Sequence, residues 1–275
     1  MTLISAHRGN CGVNGLPAIE RYRRAIALGV DYVEIDARRT ADGTYVTFHD
    51  DLTPSRRNTR ELTYAQLRNE VGSELLTLEE VLDIAAGRVG MHVDLKEDEC
   101  APEIVRLVLE RMSESGFVVT TGGDTVIRRI KDQFPTVTAG LTLGRDLERR
   151  PPWRILGVRL SELFPGPRLE RSHADFVAMH QQLARLRLLS YTATRNIPAW
   201  VWTVDDEVEI KRFLADPRVT TLITNRPDVA LRLRRALVRS GSRKTRSLGT
   251  SAGSGADRTM SRGSTRSPVR TGRRR

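Results

Sequence analysis

The sequence predicts a (β/α)8 TIM barrel, and three observations carry that expectation. Eight short apolar runs, centred near residues 4, 33, 93, 119, 140, 177, 202 and 222, alternate with stretches of helical period. That is the pattern of parallel strands joined by crossover helices. Eight such strands favour closure into a barrel. No glycine-rich phosphate loop follows the first run, which counts against an open doubly wound sheet.

Taken in order, the first run, Leu3-Ile4-Ser5, delivers His7, Arg8 and Gly9, and a helical pattern follows over residues 16–28. The second run holds Glu34 and Asp36 two apart. On a strand these share one side, with Val33 and Ile35 on the other. Asp42-Gly43 between alternating runs predicts a hairpin, whose return arm, residues 44–48, brings His49 across from the region of Asp36. Residues 51–71 read as a loop with a short helix at 64–70. Thr77, with Glu80 three residues on, has the spacing of a capping box and opens a helix to about 86. Strands are expected at 91–96, 117–121, 137–143, 175–179, 200–204 and 220–224. Helices are expected at 101–115, 124–133, 181–194, 205–215 and 228–238. Residues 146–171, with Pro151-Pro152 and Pro165-Gly166-Pro167, are expected to form loops around a short element.

The 275 residues are 39% hydrophobic, a modest share, and the formal net charge is +11. Residues 240–275 carry +9 of that charge, with ten Lys or Arg and one acid among Ser, Gly and Thr. Such a stretch lacks the apolar area that would offset the entropy of ordering. The expected organisation is a domain over residues 1–239 and a disordered basic tail over 240–275. The near-neutral domain is then no nucleic-acid platform. The tail can attract anionic lipid or nucleic acid nonspecifically, but it has no aromatic residues to stack on bases. Two cysteines, Cys11 and Cys100, make no disulfide framework. With no leader pattern and no apolar run of membrane-spanning length, a cytoplasmic location is expected.

In a barrel, polar residues at the C-terminal strand ends build the active site. Here those ends read His7-Arg8, Glu34-x-Asp36, Asp94-x-Lys96, Trp202-Thr203 and Asn225-Arg226. His92 is expected to be buried and hydrogen-bonded, His173 to lie in a loop, His180 to end a strand with a place at the mouth as the lesser alternative, and Trp153 and Trp200 to pack.

These residues resemble the glycerophosphodiester phosphodiesterase family over roughly residues 3–235. The motifs that carry the resemblance are Ala6-His7-Arg8-Gly9, Val33-Glu34-Ile35-Asp36, Thr40-Ala41-Asp42-Gly43, Phe48-His49-Asp50-Asp51, Asp94-Leu95-Lys96, Trp202-Thr203-Val204 and Ile223-Thr224-Asn225-Arg226-Pro227. The resemblance implies a TIM barrel that hydrolyses glycerophosphodiesters, small or lipid-derived, to an alcohol and glycerol 3-phosphate. It implies one divalent cation held by Glu34, Asp36 and Asp94, and an all-oxygen set of this kind suits Mg²⁺ or Ca²⁺. It implies phosphate binding by Arg8 and Lys96, with the proton work divided between His7 and His49 in an order that the sequence leaves open. Trp202 offers an apolar wall to the substrate. The chain departs from the family pattern in three places. Gly15-Leu16-Pro17-Ala18 stands where Pro-Glu-Asn-Thr is usual, Asp94 where Glu is, and Asn225 where Asp is common. Asp-Leu-Lys also resembles sphingomyelinase D-like phospholipases, which form cyclic phosphates. A non-catalytic barrel with a phosphate-binding mouth is the alternative of another class.

Overall fold

The computed structural model describes residues 1–144 and 152–249. Its strands are β1 (Leu3–Ala6), β2 (Tyr32–Arg39), β3 (Tyr45–Thr47), β4 (Leu76–Thr77), β5 (Gly90–Leu95), β6 (Phe117–Thr121), β7 (Thr138–Leu143), β8 (Phe176–His180), β9 (Ala199–Trp202) and β10 (Val219–Thr224). Eight of them pair in parallel in the order β1-β2-β5-β6-β7-β8-β9-β10. The ring closes where β1 pairs with β10, Leu3 beside Thr221 and Ala6 beside Thr224. β3 and β4 are antiparallel additions hung from the end of β2. The expected hairpin excursion is therefore real, and β4 extends it by a strand too short to be read from alternation.

The helices are α1 (Ala18–Leu28), α2 (Tyr64–Val71), α3 (Leu78–Ala85), α4 (Ala101–Leu109), α5 (Asp124–Gln133), α6 (Pro152–Leu163), α7 (Gly166–Ser172), α8 (Gln181–Leu183), α9 (Leu189–Ala193), α10 (Glu207–Ala215) and α11 (Pro227–Gly249). A π-helical turn, Ala184–Leu188, joins α8 to α9, so the helix expected at 181–194 is present with one widened turn. The capping box at Thr77 and Glu80 forms, and Thr63 with Gln66 makes a second one at the start of α2. Each satisfies two backbone donors that would otherwise lack partners.

The strand parities separate two interiors. Val33, Ile35, Val93 and Leu141 face outward into the main core between strands and helices. Each fully buried side chain of this kind contributes about 1.5–3 kcal/mol. The opposite parity fills the barrel: Val118, Phe176, Ala178, Trp200 and Ile223 pack together, with the Trp200 ring stacked on Phe176 at 4.7 Å. Above that plug the same parity turns polar, with Glu34, Asp36, His92 and Asp94, and there the mouth begins.

Two expectations are corrected. The β7–β8 connection contains two helices, α6 and α7, where loops around one short element were expected. Pro152, Pro165 and Pro167 sit at helix starts, where a missing N–H costs nothing and φ is already set. The closing helix does not stop at 238 but runs to Gly249. Grouping by contacts divides the chain into Met1–Leu237 and Val238–Arg275. The expected disordered tail beyond residue 249 lies outside the described residues, as does the start of the β7–β8 connection.

Candidate active site

His7, Arg8 and Gly9 form a single 3-10 turn at the end of β1. Arg8 takes a left-handed conformation, φ 51° and ψ 37°, a backbone state that costs a side-chain-bearing residue of order 1–3 kcal/mol. The turn sends the Arg8 N–H to Glu34 Oε2 at 2.7 Å and places Arg8 Nε 3.0 Å from Asp36 Oδ2. That ion pair lacks hydrogen-bond alignment, so the buried Nε–H has no acceptor among the described residues.

The three carboxylates expected as cation ligands lie on the adjacent strands β2 and β5. Glu34 and Asp36 are 3% and 4% exposed on β2, and the register sets Asp36 beside Asp94 of β5. Lys96 binds both neighbours, its Nζ 2.8 Å from Asp36 Oδ1 and 2.5 Å from Asp94 Oδ2. Asp94 Oδ1 accepts a 2.6 Å bond from the Thr120 hydroxyl, which in turn faces His92 Nε2 at 2.8 Å. His92 is thus buried and hydrogen-bonded as expected, and burial lowers its imidazole to about 4. Burial opposes the charge on Asp94, but Lys96 and Thr120 hold its carboxyl down at about 2. Asp36 is also held low, by Lys96 against the burial penalty, and the His49 charge acts in the same direction. Glu34 goes the other way: burial, then the charges of Asp36 and Asp94, push it well above the usual carboxylate range.

Among the described residues, no three His, Cys, Asp or Glu side chains converge as a ready metal cage. Asp36 and Asp94 direct their oxygens at Lys96, Arg8 and Thr120 instead. The donor chemistry nonetheless fits a hard divalent cation. All three donors are carboxylates, and the burial and, after it, the repulsion that raise Glu34 are what a positive charge there would offset.

His7 is held by a network that sequence reading missed. Asn225 follows β10, and its Nδ2 donates to Asp205 Oδ2 at 2.7 Å, while its backbone N–H donates to Asp205 Oδ1 at 2.8 Å. A carboxylate only accepts, so the amide orientation is fixed. Asn225 Oδ1 then accepts from Asn10 Nδ2 at 2.8 Å and from His7 Nδ1 at 2.9 Å. The proton of neutral His7 therefore sits on Nδ1, and Nε2 carries the lone pair. Burial, helped by the Arg8 charge, lowers this imidazole below its ordinary value. Asp205 reads in sequence as half of an Asp-Asp helix start. Only Asp206 caps α10, and Asp205 turns to Asn225.

His49 stands on the arm that leaves β3, its Nδ1 2.8 Å from Asp50 Oδ1. Phe48 N–H donates to Asp36 O at 2.9 Å, which brings the arm over the carboxylates. Trp202 ends β9 with its ring edge-to-face with His180 at 5.2 Å and a buried Nε1–H that has no acceptor among the described residues. His180 thus lines the mouth. His173 lies outside it, in a left-handed conformation where α7 ends. Trp200 packs inside the barrel, and the Trp153 side chain lies outside the described residues.

Comparison with known proteins points the same way. The sequence model of the glycerophosphoryl diester phosphodiesterase family matches residues 7–229. The chain is 26% identical over 238 residues to a glycerophosphodiester phosphodiesterase of Arabidopsis thaliana, covering 77% of this chain and 67% of that one. It is 22% identical over 262 residues to one from Bacillus subtilis, with 82% and 84% covered. A crystal structure of a putative glycerophosphoryl diester phosphodiesterase from Agrobacterium tumefaciens superposes with TM-score 0.70 at 18% identity, over 87% of this chain and 99% of that one. An Oleispira antarctica phosphodiesterase in complex with the product sn-glycerol-3-phosphate superposes at 0.65 and 16% identity, over 86% and 97%.

Proposed function

Because the chain belongs to the glycerophosphoryl diester phosphodiesterase family and is a phosphoric diester hydrolase, we propose that it cleaves glycerophosphodiesters to an alcohol and glycerol 3-phosphate, with His7 and His49 moving the protons. The observation that carries this reading is the fixed tautomer of His7. An imidazole whose Nδ1–H is pinned by Asn225 presents Nε2 as a base, and its lowered pKa keeps it neutral near pH 7. His7 takes the proton of the attacking oxygen. His49, its Nδ1 engaged by Asp50, gives a proton to the departing alcohol.

Glu34, Asp36 and Asp94 are the residues that would hold a single Mg²⁺ or Ca²⁺. When bound there, such an ion supplies positive charge to a phosphoryl oxygen as negative charge grows. Arg8 is placed to bind the phosphate through its unaligned Nε–H. Lys96 adds a cation whose protonated form is favoured, against burial, by Asp94 and Asp36. Trp202 offers a ring face and an unpaired N–H to the glycerol or headgroup side. The product found in the Oleispira antarctica neighbour, sn-glycerol-3-phosphate, is the product expected here.

The test is phosphorus NMR on a panel of glycerophosphodiesters with added Mg²⁺ or Ca²⁺ and after chelation. The expected end product is glycerol 3-phosphate, formed only with the cation. His7→Ala and His49→Ala should each slow turnover by about 10²–10⁴-fold in folded protein. Cyclic phosphate as the end product, or unchanged rates in both variants, would overturn the assignment.

A further inference from the structure

A buried guanidinium is costly unless its donors are matched. Arg38, two residues past Asp36 on β2, is only 2% exposed. Its partners lie mostly on one short piece of chain. Nε donates to Phe48 O at 3.0 Å, and one Nη donates to His49 O at 2.8 Å and to Asp51 Oδ1 at 2.6 Å. The other Nη faces Glu97 Oε1 at 3.5 Å. Glu97 is itself buried and is approached at 3.4 Å by Arg60.

The His49 imidazole has little else to hold it. Its side chain is 41% exposed, and among the described residues its hydrogen bond goes to its own neighbour, Asp50. Where the ring stands is therefore inherited from the backbone of residues 48–51. That backbone is tied by Phe48 N–H to Asp36, by Thr59 to the carbonyls of Asp50 and Asp51, and by Arg38. Among the described residues, Arg38 alone grips the carbonyl of His49 itself.

We propose that Arg38 is the positioning residue for His49: its guanidinium fixes the Phe48–His49 carbonyls and so sets the imidazole over the Glu34–Asp36–Asp94 cluster. The inference rests on the proton-transfer role given to His49 above. Arg38 touches no substrate; it acts through the arm. Lysine at this position would keep a charge for Glu97 and Asp51. A single ammonium cannot reproduce the planar fork that reaches two successive carbonyls and a carboxylate at once.

The experiment compares Arg38→Lys, Arg38→Ala, His49→Ala and the Arg38→Lys/His49→Ala pair in the full chain with divalent cation present. Folding is checked by circular dichroism. A displacement of about 1 Å at a reacting group is worth about 100-fold in rate. Arg38→Lys should thus lose kcat on that scale with KM unchanged, and added guanidinium ion should restore part of the kcat of Arg38→Ala. In the double variant the Arg38 change should slow the residual rate no further, because the group it positions is gone. Additive losses, or full kcat in folded Arg38→Lys alongside an inactive His49→Ala, would overturn the positioning role alone. A fully active His49→Ala would overturn the role of His49 itself, and the inference with it. If Arg38→Ala does not fold, Arg38→Lys and the double variant still decide.

Discussion

Asn225 is an amide that donates to Asp205 and accepts from His7, and that pairing sets how His7 titrates. Burial and Arg8 lower the His7 pKa, while the Asn225 bond acts in the opposite direction. His7 therefore stays neutral to a pH below its ordinary value of about 6.5, and the acid limb of kcat/KM should lie below that point. Asn225→Asp would put a negative charge within 2.9 Å of Nδ1, favour the imidazolium and move the acid limb to higher pH. Asn225→Ala would release the tautomer and lower kcat by at least about tenfold. A pH–rate profile of the three proteins checks both outcomes; an acid limb that stays in place in Asn225→Asp would separate His7 from the rate. At this scale the sequence was legible where a residue carries chemistry in its own type. His7, Arg8, Glu34, Asp36, His49, Asp94 and Lys96 stand out as a set, and the fold brings them to one mouth. Arg38, Asp205 and Asn10 did not stand out, because their roles come from partners distant in sequence or across the fold. An arginine in Ala37-Arg38-Arg39 looks like solvated charge until it is found buried.

The 3-10 turn that follows β1 shows what a single element contributes. Gly9 has φ 62°, and a Cβ built on it would lie 2.3 Å from the Tyr22 ring of α1. Gly9→Ala would thus meet both a left-handed backbone and an aromatic face. We expect a loss of about 1–3 kcal/mol, seen as a lower urea midpoint, together with reduced turnover because the same turn carries His7. Wild-type stability in Gly9→Ala would mean that Tyr22 and the turn separate freely. The His-Arg-Gly triplet made this element readable. The β7–β8 connection was not readable, since prolines were taken there as breakers. Their position at the starts of α6 and α7 depends on where each helix begins, which periodicity alone does not fix.

For the molecule as a whole, the alternation of eight apolar runs with helical stretches was enough to specify closure, because each strand end in such a ring must meet two neighbours. What alternation could not specify is where the last helix stops. The composition of residues 240–275 reads as a solvated tail, yet α11 continues to Gly249, carried by the helix formers Arg243, Lys244, Arg246 and Leu248 and in spite of Gly241. Truncation after Gly249 should leave kcat/KM for a small glycerophosphodiester unchanged and remove salt-sensitive binding to polyanions, measured by retention on heparin at rising ionic strength. A truncated protein that loses turnover would place part of residues 250–275 in the site.

The seam between β1 and β10 has one more consequence. His7 follows the first strand of the ring and Asn225 the last, so the imidazole and the amide that orients it are separated by nearly the full length of the barrel sequence. The pairing of β2 with β5 sets Asp36 beside Asp94 without this seam, but the His7–Asn225 bond needs β10 in place beside β1. Under the role proposed for His7, catalytic competence therefore depends on ring closure.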